Sequence, residues 1–163
     1  MRLLPQQLVI LVLLVLSNSI YAHGNLADVV ASGNRGHALD MIAEGTDVNA
    51  VQSDGTSALL YAVYQGDAEL VSALLKAGAD VNLRNEYGAS TMSEAAMQGS
   101  AEILGLLLEH GGNPELGNLE GETPLMVVAR AGNLGAAALL LDNGADINAR
   151  EHWGGPQNIL LHL

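Results

Sequence analysis

Glycine stands at positions 33, 66, 99 and 132, again at 45, 78, 111 and 144, and a third time at 55, 88, 121 and 154. All three series share one spacing, 33 residues. A chain that returns to its most permissive backbone residue at the same three places is built by repetition. A period of this size predicts a stack of small supersecondary units rather than a globule around one cleft. In such a stack each unit touches only its neighbours, so the joints between units carry the stability.

Within a unit the residues between glycines spell two short helices. Gly55, Gly88 or Gly121 ends a turn, and a hydroxyl residue follows two places later: Ser57, Ser90 or Thr123. A hydroxyl there predicts a helix N-cap, its oxygen accepting from the first free helical N–H groups. Pro124 then falls at the first helical position, where its missing N–H costs nothing. In the second unit Leu59, Ala62 and Val63 form an apolar set that ends at Gly66. A second helix is predicted over Ala68 to Ala77, with Leu70, Val71, Leu74 and Leu75 as an amphipathic stripe ended by Gly78. The expected fold class is an all-α solenoid of about four units, each a pair of antiparallel helices with β-hairpin-like turns between units. The boundaries are about 25–53, 54–86, 87–119 and 120–152, the first serving as an N-terminal cap. Residues 154–163 read as an incomplete or divergent fifth unit, because Asn158 stands where a core leucine is required. That tail is either a makeshift cap or the sign of a truncated array.

The turns that close the units carry a resemblance. Gly78-Ala79-Asp80-Val81-Asn82 and Gly144-Ala145-Asp146-Ile147-Asn148 repeat one motif, Gly45-Thr46-Asp47-Val48-Asn49 differs from it at one place, and Thr123-Pro124-Leu125 opens the fourth unit. Over about residues 25 to 153 the chain resembles the ankyrin-repeat proteins, whose unit is a 33-residue turn with two helices and a T-P-L-H-x-A signature. It departs from the family in two ways. No unit has histidine in the signature, where Leu60, Ser93 and Met126 stand instead, so weaker tying between neighbouring turns is expected. Gly111-Gly112-Asn113-Pro114-Glu115 is a divergent closing turn, so the joint between the third and fourth units is expected to be the weak one.

The 163 residues are 49% apolar and only 3% aromatic, with no Phe, so the core must come from Leu, Val, Ile and Ala. Met1 to Ala22 reads as a secretory signal peptide: Arg2 supplies charge, Leu8 to Leu16 is unbroken apolar sequence, and Ala22 is a small residue for cleavage. Cleavage after Ser19, or retention as a membrane anchor, are the alternatives. The apolar run is short of the roughly 20 residues that span a bilayer, so no stable membrane insertion is expected once the leader is cut. Losing Arg2 with the leader would leave 5 basic residues against 18 acidic ones, a charge of −13. Such a surface repels phosphate backbones, which argues against nucleic acid; it suits a partner with a basic surface, the alternative being that the acidity serves only to keep the chain soluble.

No cysteine is present, so disulfides and thiolate chemistry are excluded. No nucleophile elbow, P-loop, zinc motif or dinucleotide fingerprint occurs. His23, His37, His110, His152 and His162 never pair at ligand spacing, and Asp142-Asn143-Gly144-Ala145-Asp146 lacks the ligand order of a calcium loop. Catalytic, cofactor-binding and metal-binding residues are therefore expected to be absent. The ankyrin resemblance instead implies a non-catalytic module, monomeric, that binds a protein partner through its hairpin tips and the concave side of its first helices. On this chain the tips are Ser53-Asp54, Glu86-Tyr87, Leu119-Glu120 and His152-Trp153; the helix positions are Tyr64-Gln65, Met97-Gln98 and Arg130-Ala131. Tyr64, Tyr87, Met97 and Trp153 are anchor-type side chains, set against the alternative that they pack on neighbouring fingers or cover the C-terminal edge. With the leader, the resemblance implies a periplasmic or secreted adaptor. A secreted effector acting on a host protein and a truncated array without activity of its own are the alternatives.

Overall fold

The computed structural model describes residues 24–150. The leader 1–22, His152, Trp153 and the 154–163 tail lie outside the described residues.

Eight helices make up the described chain: α1 Leu26–Ala31, α2 Arg35–Ala43, α3 Ala58–Tyr64, α4 Ala68–Lys76, α5 Thr91–Gln98, α6 Ala101–Glu109, α7 Pro124–Arg130 and α8 Leu134–Asp142. The first helices α1, α3, α5 and α7 pack side by side in one row. The second helices α2, α4, α6 and α8 form another row, and each pair packs together within its unit. No extended strand occurs among the described residues; two isolated antiparallel bridges, Val51 to Ser57 and Arg84 to Ser90, pinch off hairpin-like fingers.

Helices of six to nine residues are too short to hold themselves, so their ends and their packing must do it. Each of the eight begins at a side-chain cap: Asn25, Asn34, Ser57, Asp67, Ser90, Ser100, Thr123 and Asn133 each accept a backbone N–H from the first turn. Such a cap stabilises a helix by about 1 kcal/mol. Every grid glycine among the described residues has a positive φ, and no other described residue does. At Gly55 close approach adds to the backbone requirement, since a Cβ there would lie 3.3 Å from Asn85 Cα of the next finger.

The core repeats with the same period. Leu74, Leu107 and Leu140 hold one register position on successive second helices and have no exposed surface. Ala62, Ala95 and Ala96 are equally buried, and their small side chains let the first helices approach closely. The last face differs. Val48 and Val81 are 7% and 5% exposed because the following unit covers them, whereas Ile147 in the same register is 73% exposed. Nothing among the described residues covers the outer side of the fourth unit.

Polar rungs tie the units along the closing turns. Asn49 donates to Gly78 O (3.1 Å) and accepts from Asp80 N (2.7 Å). Asn82, one period on, does the same with Gly111 O (3.1 Å) and Asn113 N (2.9 Å). Glu115 holds the next position, where its carboxylate accepts from Asp146 N (2.8 Å) but has no N–H to donate. The divergent turn itself closes like the others, Asn113 Oδ1 accepting from Glu115 N (2.9 Å) as Asp80 Oδ1 accepts from Asn82 N. The rung between units three and four therefore loses one bond through the chemistry of residue 115, not through the shape of the turn.

At Ser93, one of the positions where the signature histidine is missing, small hydroxyls bond locally. Ser90 and Ser93 form a capping box in which each accepts the other's backbone N–H (3.1 and 3.0 Å). Ser90 Oγ donates onward to Leu116 O (2.9 Å) and Ser93 Oγ to Ser90 O (3.0 Å). The Ser90 hydroxyl thus ties the start of α5 to Leu116 at the end of its own unit.

Candidate protein-interaction face

The fingers place the expected tip residues at turn centres. Gln52 N bonds Thr56 O (2.9 Å), Asn85 N bonds Ala89 O (3.1 Å) and Asn118 N bonds Glu122 O (3.1 Å). Ser53-Asp54, Glu86-Tyr87 and Leu119-Glu120 project from these three turns, all exposed except Asp54, which is half-buried. Asp54 is held on both sides. Its carbonyl accepts from Glu86 N (2.8 Å) of the next finger, and its carboxylate accepts from Thr56 N (3.0 Å). That N–H, with the Thr56 hydroxyl second, keeps the carboxyl below the usual aspartate range. Leu119 lies over Gly88, where even a Cβ would meet its side chain, so this leucine packs one finger on another.

Along the first helices the expected positions divide into two kinds. Tyr64 and Met97 are 69% and 56% exposed, and Tyr87 on its tip is 70% exposed, so none is packed beneath a neighbouring finger. Gln65 and Gln98 are exposed, but their amide groups are used inside the array. Gln65 Nε2 donates to Val30 O (2.7 Å), and Gln98 Nε2 is shared between Val63 O (2.9 Å) and Tyr64 O (3.0 Å). Arg130 pairs with Glu122 of its own unit, whose other oxygen accepts from Asn118 Nδ2 (3.0 Å). Ala131 is exposed and offers no polar group.

Two grooves run between fingers on this face. The larger, about 590 Å³, is lined by polar groups including Asp28, Gln52, Ser53, Asp54 and Tyr87. The other, about 240 Å³, lies between the second and third units and brings Asp54 and Tyr64 together with Tyr61, Leu60, Asn85 and Glu94. Tyr61 and Glu94 escaped the sequence reading, which took only the last residues of each first helix. The signal was present: stepping back three residues from Tyr64 and from Met97 along one helix face reaches Tyr61 and Glu94.

The second-helix row carries its own charges. Arg35 pairs with Asp67 (3.1 Å) and Glu69, and its guanidinium is pushed further up, first by the bond to Glu69 and then by the charge of Asp67. His110 follows α6 as its cap, with Nδ1 2.9 Å from Leu106 O. Among the described residues no group of three or more His, Asp and Glu side chains is placed to hold a metal ion, and no helix is long and apolar enough to cross a membrane.

Paired helices on a fixed period, fingers projecting from one side and a packed double row behind them define a helical repeat array. The family described as ankyrin repeats (3 copies) matches residues 26–118 and again 77–151, and this chain belongs to the ankyrin-repeat family. Ankyrin repeats are generally protein–protein interaction modules and typically non-enzymatic scaffolds. No curated protein matches the chain.

Proposed function

We propose that this protein is a non-catalytic adaptor, exported by its leader to the periplasm or beyond, that binds a protein partner through its first-helix face and finger tips. The observation that carries this is the exposure of Tyr64, Tyr87 and Met97, 69%, 70% and 56%, on one side of an array with few large aromatic side chains. Aromatic and methionine side chains rimmed by polar groups are favoured anchors at protein interfaces. The surrounding carboxylates, Asp28, Asp54, Glu86, Glu94 and Glu120, favour a basic partner surface and speed its encounter.

A benzophenone amino acid in place of Tyr64, Tyr87 or Met97, compared with one in place of Glu44, Lys76 or Glu109, tests the face in cells. Crosslinks to one partner from the first set alone are expected. Equal crosslinking from the second-helix positions would remove the proposal. Fractionation of cells making the full chain, with the mass of the recovered protein, tests export: loss of residues 1–22 and recovery from periplasm or medium are expected. Recovery at full length from the cytoplasm would contradict it.

A further inference from the structure

We propose that the groove between the second and third units receives one arginine side chain of the partner protein. The inference rests on the adaptor function above and names what that face selects. The groove, about 240 Å³, has a carboxylate from each unit, Asp54 and Glu94, and two rings, Tyr61 and Tyr64, among its walls. No lysine or arginine among the described residues forms a salt bridge with either carboxylate.

The walls are set before any partner arrives. Glu86 N to Asp54 O (2.8 Å) and Asn85 Nδ2 to Thr56 Oγ1 (3.1 Å) lock the two fingers together. The Tyr61 hydroxyl donates to Gln52 Oε1 (2.7 Å), fixing that ring, and Gln98 Nε2 donates to Glu94 Oε1 (3.0 Å). Thr56 N orients the Asp54 carboxylate (3.0 Å). A receptor held this way loses little side-chain freedom on binding. A guanidinium fits it best, because its edges carry paired donors for carboxylates while its flat face stacks on an aromatic ring. An ammonium is a point charge and uses only half of this chemistry.

The next joint does not repeat the carboxylate pair in the same register. One period on, Tyr87, Glu94, Met97 and Val127 stand at the positions of Asp54, Tyr61, Tyr64 and Glu94. Glu122, at the register of Ala89, is paired there with the chain's own Arg130. Among the described residues Asp54 and Glu94, unlike Glu122, have no salt-bridge partner within the chain.

The test is an NMR titration of the purified protein with a blocked Gly-Gly-Arg-Gly-Gly peptide and its lysine and citrulline counterparts. Saturable shifts centred on Asp54, Tyr64 and Glu94 are expected, with the citrulline peptide binding about tenfold more weakly because it lacks the charge. The lysine peptide should fall between them. D54N with E94Q should abolish the shifts while the rest of the spectrum is retained, and Y64A alone should weaken them. Equal binding of the arginine and citrulline peptides would overturn the proposal. If the arginine peptide instead shifts Tyr87 and Leu119, the arginine receptor is wrong while the interaction face stands. Shifts confined to the second-helix row would count against both.

Discussion

The joint between units two and three and the joint between units three and four are built on the same apolar frame but tied differently. Leu107 and Leu140, one on each side of the second joint, are as fully buried as Leu74. At the first joint Asn82 makes both rung bonds, Gln98 reaches back to α3, and Thr91 Oγ1 donates to Val81 O (2.6 Å). At the second, Glu115 makes one rung bond and Asn133 Nδ2 reaches Gly99 O (2.9 Å). The apolar period is therefore blind to this difference in hydrogen-bond donors. The more tightly clasped joint is also the one whose groove carries two carboxylates without a salt bridge among the described residues, so rigidity and readiness to bind coincide there.

The largest expected effect comes from truncating the shared frame. Leu107→Ala and Leu140→Ala should each cost about 2–5 kcal/mol. Loss at Leu107, in the middle of the second-helix row, should melt the array as a whole. Loss at Leu140 should release α7 and α8 first, visible as hydrogen exchange over residues 124–142 while 58–109 stay protected. A single cooperative transition in both variants would make the two joints equivalent.

Gly112→Ala is next. Its Cβ would lie 2.8 Å from Leu107 O and 3.0 Å from Met92 Sδ, in a turn whose counterpart one period on carries Ala145 without difficulty. A loss of about 1–3 kcal/mol in chemical denaturation is expected. Smaller still, Glu115→Asn should restore the missing donor to Gly144 O and raise stability by about 1 kcal/mol, while Asn82→Ala lowers it by a similar amount. A fall in thermal midpoint for Glu115→Asn would show that the weaker rung is not what distinguishes the joints.

The smallest effect is pH-linked. Because the Thr56 N–H holds the Asp54 carboxyl below its unfolded value, its stabilisation is fully present above about pH 4 and is lost as pH falls through the lower folded value. Wild type should therefore lose stability slightly more steeply than Asp54→Asn below pH 4, with parallel curves above it.

The helices, their caps and their stops were legible because each depends on residues adjacent in sequence: Ser57 caps three residues ahead, and Gly78 stops the helix that contains Leu75. The fingertips were legible for the same reason. The groove was only half legible, since Glu94 and Asp54 line it from different units and neither residue's neighbours announce it. The internal use of Gln65 and Gln98 was hidden too, because an amide at a helix end looks the same whether it faces solvent or a carbonyl 35 residues away. Glu115 was readable in principle; it breaks a column of asparagines, but its meaning depends on knowing that both ends of the amide are used.

The glycines of left-handed backbone set a quantum of length for this molecule. One residue gained or lost inside a helix would put that helix's cap, apolar stripe and stop out of step with one another, whereas a duplication or deletion of one whole period would leave each junction chemically familiar. Recombination could thus lengthen or shorten the array at most places without disturbing Asp54 and Glu94. A unit spliced between the second and third would leave a foldable protein whose two groove-lining carboxylates no longer meet.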